Sequence, residues 1–109
     1  METEVIVYEA AKGVATAVGA MVTSYRLGDG TFTMRRIAVR RSIDEFRGKS
    51  RSHAIGDVVR QNIKEIMDTQ KLIDSLNPED HALEMCMKQL ESLSNALDEH
   101  LEEFKRTLR

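Results

Sequence analysis

Cysteine, proline and aromatic residues are scarce in this chain of 109 residues. Its one cysteine, Cys86, excludes an internal disulfide, and the aromatic residues are three phenylalanines and two tyrosines, with no tryptophan. The core must therefore be aliphatic. A lone cysteine favours a reducing compartment, and the start Met-Glu-Thr-Glu lacks the basic residues of a cleavable signal peptide. We therefore expect a cytoplasmic protein.

Long hydrophobic runs are also missing. The longest stretch without a charged residue runs from Gly13 to Tyr25, thirteen residues, whereas a membrane-spanning helix needs about 20 apolar residues. We therefore expect no membrane span. A chain of this length and 41% hydrophobic composition forms one domain with a small core. Because such cores are often completed by a partner subunit, we also expect a homo-oligomer.

Positive charge is concentrated in the middle of the chain. Residues 26–51 contain eight basic and three acidic residues, a net charge of +5, whereas residues 52–109 contain seven basic and twelve acidic residues, a net charge of −5. The first 25 residues add −2, which gives the overall −2. Segregated charge of this kind indicates a binding surface for an anionic partner.

Arginine dominates this basic segment, and its guanidinium group suits bidentate hydrogen bonds to phosphates and carboxylates. The candidate anion-binding residues are Arg35, Arg36, Arg40, Arg41, Arg47, Lys49 and Arg51. Three partners are compatible with them: the phosphates of a nucleic acid, an acidic protein surface, or the acidic residues in the C-terminal half of the same chain.

Apolar residues in the C-terminal half follow the alternating spacing of four and three that is typical of a heptad seam. Two such seams flank Asn77 and Pro78, which we interpret as the N-cap and first residue of the second helix. The pattern predicts an antiparallel, coiled-coil-like helical hairpin. Its seam, also the predicted oligomer interface, comprises Ile55, Val59, Asn62, Ile66, Ile73, Leu76, Leu83, Met87, Leu90, Leu97, Leu101 and Phe104.

Polar residues interrupt this seam at Asn62, Thr69 and Ser94. A buried polar seam residue lowers stability but can fix register or oligomeric state. Asn62 is therefore either such a specificity device or a residue at the wet edge of the seam, with Ile63 rotated inwards in its place.

The N-terminal quarter is rich in alanine and glycine and has apolar residues at helical intervals. We predict a helix from about Glu4 to Tyr25, although residues 4–8, Glu-Val-Ile-Val-Tyr, are also compatible with a short strand. Residues 28–30, Gly-Asp-Gly, end this helix in a turn. Residues 31–34 look extended.

A short amphipathic helix is predicted next, because Val39, Ile43 and Phe46 recur at helical spacing until Gly48 breaks the pattern. Ser50 or Ser52 can cap the long helix that follows. The sequence thus predicts an all-α protein with an N-terminal helix in residues 1–27, a basic connector in 28–51 and a helical hairpin in 52–109.

Residues 48–60, Gly-Lys-Ser-Arg-Ser-His-Ala-Ile-Gly-Asp-Val-Val-Arg, resemble the turn and second helix of ribbon-helix-helix DNA-binding proteins. The resemblance covers about a tenth of the chain, and it implies DNA binding. In that family a strand and a full first helix precede the turn. Here only Ser42 to Arg47 would remain for that helix if residues 37–39 were the strand.

Catalytic signatures are few. Arg47 and His53 have the R-x5-H spacing of the short Arg/His motif of HEPN-type ribonucleases, which implies a remote alternative as a helical ribonuclease. His81, His100 and Cys86 are not spaced as metal ligands, and no glycine-rich phosphate loop or nucleophile elbow occurs. We therefore expect neither an enzyme nor a cofactor.

Taken together, these features predict a small regulatory or adaptor protein that self-associates through its helices and binds nucleic acid through the basic segment. The alternative is a pure protein-interaction module, such as an assembly component, a chaperone-like adaptor or an inhibitor of a larger enzyme. The charge division favours the first, and the heptad seam in a short chain favours the second.

Overall fold

The computed structural model describes residues 2–51 and 56–107. All regular secondary structure in these two ranges is helical, which confirms the all-α prediction. The helices are α1 (Glu2–Leu27), α2 (Phe32–Lys49), α3 (Asp57–Asp74) and α4 (His81–Thr107).

The four helices form an elongated bundle with principal extents of 45 × 22 × 21 Å. Helix α1 packs against α2 and α4, α3 packs against α4, and α2 and α3 touch each other much less. Neighbouring helices run antiparallel: Tyr25 near the end of α1 contacts Phe32 at the start of α2, and Tyr8 near the start of α1 contacts Phe104 near the end of α4. One side of the bundle, between α2 and α3, is therefore loosely closed.

Helix α1 supplies the small residues that bring the bundle together. Val7, Val14, Val18 and Met21 recur at helical spacing and are at most 1% exposed. This continuous buried face accounts for the helical conformation of the first residues, so the alternative of a strand at residues 4–8 is wrong. Because the valines and the neighbouring alanines have short side chains, α2 and α4 pack closely against α1.

Helix α1 is also apolar enough to cross a membrane by length and composition alone. The segment Glu4–Leu27 has a mean hydropathy of 1.5, and 44% of its most apolar window is buried inside the bundle. The core helix of a soluble protein and an N-terminal signal sequence meet the same two criteria. The absence of a membrane span stays a prediction.

The turn between α1 and α2 contains two glycines with positive φ, Gly28 at 61° and Gly30 at 84°. Between them, Asp29 Oδ1 accepts hydrogen bonds from the Thr31 amide at 3.0 Å and from the Ser24 hydroxyl at 2.9 Å. Hydrogen bonds from Thr31 and Ser24 hold the pKa of Asp29 below its usual value. The predicted glycine turn is confirmed.

Helix α2 begins at Phe32, so the prediction of an extended segment at 31–34 is wrong. The Phe32 ring lies 5.6 Å from that of Tyr25, and this contact draws the segment into the first turn of a helix. The basic helix is consequently eighteen residues long rather than short. It ends at Lys49, and the amide of its C-cap, Ser50, donates to Phe46 O at 2.9 Å. The prediction that Ser50 caps the following helix is wrong, because Gly56 is the N-cap of α3. The alternative cap, Ser52, lies outside the described residues.

Helix α4 begins at His81, three residues beyond Pro78, so the predicted start at the Asn-Pro pair is wrong. Asn77 O instead accepts a hydrogen bond from the Asp80 amide at 3.0 Å, which makes residues 77–80 a turn. Asp80 then caps the helix, because its Oδ1 accepts from the Ala82 amide at 2.9 Å. The N-cap of α4 is therefore Asp80 rather than the predicted Asn77.

The residues of the predicted seam are used inside one chain. Ile66, Met87, Leu90, Leu97 and Leu101 have no exposed surface. The remaining described seam residues are buried or partly buried, namely Val59, Asn62, Ile73, Leu76, Leu83 and Phe104. Ile55 lies outside the described residues. The coiled-coil character of α3 and α4 and any self-association stay predictions.

The three polar seam residues differ in how they are satisfied. Ser94 Oγ donates to Ala15 O at 3.3 Å, and Thr69 Oγ1 donates to Glu65 O at 2.9 Å. Asn62 is 7% exposed, and its Oδ1 has no hydrogen-bond partner among the described residues. An unsatisfied buried acceptor of this kind costs about 1–3 kcal/mol.

Replacing Asn62 by leucine, which has a similar branched shape, should raise the free energy of unfolding by about 1 kcal/mol because it removes the unpaired acceptor. The matched change Ser94→Ala deletes a hydrogen bond that is made, so it should lower stability by about 1 kcal/mol. Urea unfolding followed by circular dichroism measures both changes. A loss of stability in Asn62→Leu would show that Asn62 is satisfied in solution.

Candidate binding groove between α2 and α3

The candidate anion-binding residues of α2 are distributed around the helix, because successive positions are rotated by about 100°. Val39, Ile43 and Phe46 define the buried face of the helix. Relative to that face, two groups of cations can be distinguished: Arg36, Arg40 and Arg47 lie towards α3, whereas Arg35 and Arg41 line one shallow depression on the outer surface of the helix. No single face of α2 therefore presents all of them to one ligand.

Intramolecular ion pairs occupy three of these cations. Arg36 Nη2 and Arg40 Nη2 contact the two carboxylate oxygens of Asp74 in α3, at 2.8 and 2.6 Å. Lys49 Nζ pairs with Glu45 one turn earlier, at 2.7 Å. The structure shows no ion pair, within its described part, for the remaining four candidates, which are Arg35, Arg41, Arg47 and Arg51. Neutralisation by the chain's own acids is therefore partial.

Asp74 forms a clasp that joins α2 to α3 at one end. Burial alone would raise the pKa of its carboxyl group, but the hydrogen bonds and charges of Arg36 and Arg40 outweigh burial and lower that pKa. Beside the clasp, Gln70 Nε2 donates to Arg36 O at 3.3 Å, and the Arg36 guanidinium lies 5.7 Å from the centre of the Phe32 ring. Helix α2 is thus fixed to α3 by one carboxylate and one amide at this end.

Arg60 joins the two helices at the other end. Its Nη2 donates to Ser50 O at 2.7 Å, which satisfies a carbonyl beyond the end of α2. Ser50 itself is buried, at 1% exposed. The α2–α3 contact is therefore held at both ends and remains open between them.

Between these two fixed points lies a groove made of two adjoining cavities, with volumes of about 330 and 200 Å³. Ile43 and Phe46 from α2 and Ile63 and Met67 from α3 form its apolar floor. Ile43, Phe46 and Ile63 are only 2–3% exposed, whereas Met67 is partly exposed. We call this feature the α2–α3 groove.

Basic side chains dominate the rims of the α2–α3 groove. The larger cavity is bordered by Arg47, Arg60 and Lys64 and by no acidic residue. The smaller cavity adds Arg40 and Lys71 and the acids Asp44 and Asp74. Five bases and two acids give the rims a net charge of +3.

The sequence analysis did not predict that α3 contributes cations to these rims. It considered only the basic segment, whereas the cations of α3 lie in a segment whose net charge is negative. The relevant signal was spacing: Arg60, Lys64, Met67 and Lys71 recur at intervals of four, three and four residues along one side of α3. An apolar residue within a basic stripe indicates a partly exposed, amphipathic edge.

One buried polar atom that borders the groove, and one next to the contact with Asp74, have no hydrogen-bond partner in the described part of the chain. Gln70 is 3% exposed and borders the smaller cavity, and its Oε1 is unpaired. The Arg36 Nε is likewise unpaired. Since buried polar groups are nearly always satisfied, Gln70 Oε1 is a candidate acceptor for a donor on a bound ligand.

The side of the bundle opposite the α2–α3 groove carries charges of both signs. Glu9 on α1 and Glu99, Glu102 and Glu103 on α4 are exposed near the end where α4 finishes, and Lys105 and Arg106 on α4 are exposed beside them.

Catalytic and metal-binding residues are not brought together in the part of the chain that the structure describes. No group of three histidine, cysteine, aspartate or glutamate side chains there could hold a metal ion. Cys86 is 4% exposed, and burial together with the nearby Asp80 raises the pKa of its thiol. His53 lies outside the described residues, so the R-x5-H pair with Arg47 stays a prediction.

Likeness to known proteins does not assign this site. Residues 32–49 form one continuous helix where ribbon-helix-helix proteins have a strand and a shorter first helix, and residues 52–55 of the similar fragment lie outside the described ranges. Comparison with models of protein families, with curated protein sequences and with solved structures gave no match.

Asp74→Asn should lower the free energy of unfolding by about 0.5–1 kcal/mol at neutral pH, because the clasp to Arg36 and Arg40 loses its charge. The pKa of Asp74 is lowered in the folded protein, so its contribution is complete above the unfolded-state pKa and is lost as the pH falls through the folded-state pKa. The difference from wild type should therefore shrink towards zero in acid. Urea unfolding at a series of pH values measures it.

Asp68→Asn is the control for this experiment, because Asp68 lies on the same helix and pairs at 3.1 Å with Lys64 within one turn. Both groups of that pair are more than half exposed, so the change should be smaller and less dependent on pH. Equal effects of the two substitutions would contradict the role of Asp74 as a clasp.

Proposed function

We propose that the protein is a small non-enzymatic adaptor that binds an acidic, amphipathic helical segment of a protein partner in the α2–α3 groove. The single observation that supports this proposal most strongly is the combination of cationic rims with an apolar floor. Amphipathic helices bind in grooves of this type by placing apolar side chains on the floor.

Charge complementarity defines the chemistry of the partner. Acidic side chains on both flanks of a helical segment would pair with Arg47 on one rim and Lys64 on the other. Complementary rim charges raise the rate of association and select against basic partners. An apolar side chain between those flanks would contact Met67, the most accessible residue of the floor.

A helical protein segment suits this groove better than a nucleic acid does. Phosphates gain nothing from an apolar floor, since sequence-independent nucleic-acid binding depends on cations that follow the backbone. On α3, the exposed acid Asp68 pairs with Lys64 at 3.1 Å and would repel a continuous polyanion. Separate carboxylates on a peptide can avoid this acid.

The direct test uses a fluorescent peptide of about 18 residues, or five helical turns, with leucines along one face and glutamates on both flanks. Wild-type protein should bind it at low salt, and the double change Arg47→Glu and Lys64→Glu should weaken binding about tenfold or more, equivalent to about 1.4 kcal/mol. Fluorescence anisotropy gives the dissociation constants.

Arg41→Glu is the matched control, because Arg41 lies on the same helix but points away from the groove. It should leave the affinity for the peptide nearly unchanged. A peptide in which glutamine replaces glutamate should bind weakly to every variant. Equal losses from Arg41→Glu and from the groove variant, or no binding at low salt, would contradict the proposal.

Nucleic-acid binding is a second candidate function, supported by a different observation. Arg35 and Arg41 are exposed on the outer surface of α2 and make no ion pair within the described ranges. Met34 and Ile37, which are 71% and 43% exposed, line the same shallow depression as these two arginines. This outer surface could contact phosphates without involving the α2–α3 groove.

Electrophoretic mobility shift at two salt concentrations tests this second function. If the protein binds nucleic acid, DNA or RNA should shift at low salt. The affinity should fall steeply as salt rises, because binding to phosphates releases counterions. Arg35→Glu combined with Arg41→Glu should abolish the shift, while the groove variant should reduce it less. Absence of any shift at low salt would exclude the function.

A further inference from the structure

The smaller cavity of the α2–α3 groove is bordered by a buried glutamine whose amide is only half satisfied. Gln70 is 3% exposed, and its Nε2 donates to Arg36 O at 3.3 Å. Because a carbonyl oxygen can only accept, this hydrogen bond fixes the orientation of the amide and leaves Oε1 as its free end. Oε1 has no hydrogen-bond partner in the described part of the chain. The cavity therefore offers an acceptor of fixed orientation.

The two carboxylates around the same cavity are less suited to a ligand donor. Both oxygens of Asp74 already pair with arginines, at 2.8 and 2.6 Å. Asp44 is exposed, so water solvates its carboxylate and a hydrogen bond from a ligand would add little stability. Since an unpaired buried acceptor is costly, Gln70 Oε1 is the acceptor at which a ligand donor stabilises the complex most.

The size and lining of the smaller cavity favour an aromatic group. An apolar cavity of about 150 Å³ accommodates benzene, so the volume of about 200 Å³ here has room for one larger ring system. Ile43 and Met67 supply apolar contacts, and a methionine sulfur interacts favourably with aromatic rings. The Arg40 guanidinium, which Asp74 holds at 2.6 Å, places a cation beside the cavity for contact with the face of a ring.

We propose that the smaller cavity binds a tryptophan side chain of the partner segment, whose indole N–H donates to Gln70 Oε1. Indole combines a large aromatic ring with one donor and no acceptor, so it satisfies Oε1 and leaves no polar atom of its own unpaired. The inference rests on the proposed function, and it names the side chain by which the groove selects among acidic amphipathic segments. We call the cavity in this role the tryptophan pocket.

A tryptophan in this pocket is compatible with the binding of the whole segment. Ile43, Arg47 and Met67 line both cavities, so the groove is continuous from one to the other. An apolar side chain over Met67 and a tryptophan in the pocket can therefore lie on the same face of one bound helix, about one or two turns apart. The acidic flanks of the segment remain available to Arg47 and Lys64.

Tryptophan fluorescence tests the proposal, because the protein itself contains no tryptophan. Two unlabelled versions of the acidic amphipathic peptide each carry one tryptophan in place of a leucine, at the N-terminal or the C-terminal end of the apolar face. In the version whose orientation fits, emission should shift to shorter wavelength on binding and become protected from quenching by acrylamide. Emission typical of a water-exposed indole in both complexes overturns the proposal.

A double-mutant cycle isolates the hydrogen bond. In the peptide, benzothienylalanine replaces the indole N–H by sulfur, and in the protein, Gln70→Met removes the acceptor at similar side-chain length. Wild type should bind the tryptophan peptide about fivefold more tightly than the benzothienyl peptide, and Gln70→Met should bind the two equally. Equal binding by wild type, which is expected if water already satisfies Oε1, overturns the proposal, as does a preference that persists in Gln70→Met.

Gln61→Met is the matched control, because Gln61 is an exposed glutamine on the same helix and does not line the groove. It should keep the fivefold preference for tryptophan. Circular dichroism checks that both variants are folded; if Gln70→Met does not fold, the comparison of the two peptides on wild type decides. Peptides with phenylalanine or tyrosine at the same position should bind more weakly than the tryptophan peptide, and tighter binding of either overturns the proposal.

The charge of the peptide separates this inference from the proposed function. If glutamate-flanked peptides bind but tryptophan brings no preference, the tryptophan pocket is overturned while the adaptor function stands. If glutamine replaces every glutamate without loss of affinity and the preference for tryptophan still depends on Gln70, the acidic partner is overturned while the tryptophan pocket stands. Absence of binding by every peptide overturns both.

Discussion

The sparse contact between α2 and α3 is the constraint on which the rest of this structure depends. Short side chains on α1 let α2 and α4 pack closely against it, and α3 then packs mainly against α4. The fourth side of the bundle consequently remains open along its length and is held only near its ends. Asp74 fixes one end through two arginines, and Arg60 fixes the other through the Ser50 carbonyl. The α2–α3 groove exists because these two contacts replace a continuous apolar interface.

Polar contacts at the ends of the groove also decide how much positive charge remains available. Asp74 neutralises two arginines at once, and its lowered pKa keeps it ionised at neutral pH. The acids of α4 are on the far side of the bundle, where they cannot reach α2. The arginines of α2 are therefore only partly neutralised, and the rims of the α2–α3 groove keep a net charge of +3. A groove can thus have basic rims in a protein whose total charge is −2.

Periodicity was sufficient to predict the helices but not the relation between them. The glycine turn at 28–30 and the all-helical architecture followed from local sequence, because turn chemistry and apolar spacing act over a few residues. The start of α2 at Phe32 could not be predicted from local sequence, because it depends on the contact with Tyr25 in another helix. Likewise, Pro78 is a good first helical residue, yet the turn that Asn77 and Asp80 close delays the helix by three residues.

The candidate site was predictable only in part for the same reason. Counting charges identified Arg40 and Arg47 as candidate anion-binding residues. It could not show that Arg40 would form an ion pair with Asp74, or that Lys64 would lie opposite Arg47 across the groove. Those relations depend on which sides of α2 and α3 meet, and composition alone does not contain that information. A basic segment in the sequence thus became one rim of a two-sided groove in the fold.

Methyl NMR during titration with the acidic amphipathic peptide tests the central claim most directly, because it shows which surface the ligand contacts. The account predicts that the resonances of Ile43, Ile63 and Met67 shift progressively, while those of Ile37 and Met34 on the outer surface of α2 do not. Shifts at Ile37 and Met34 without shifts at the three groove residues would contradict the account.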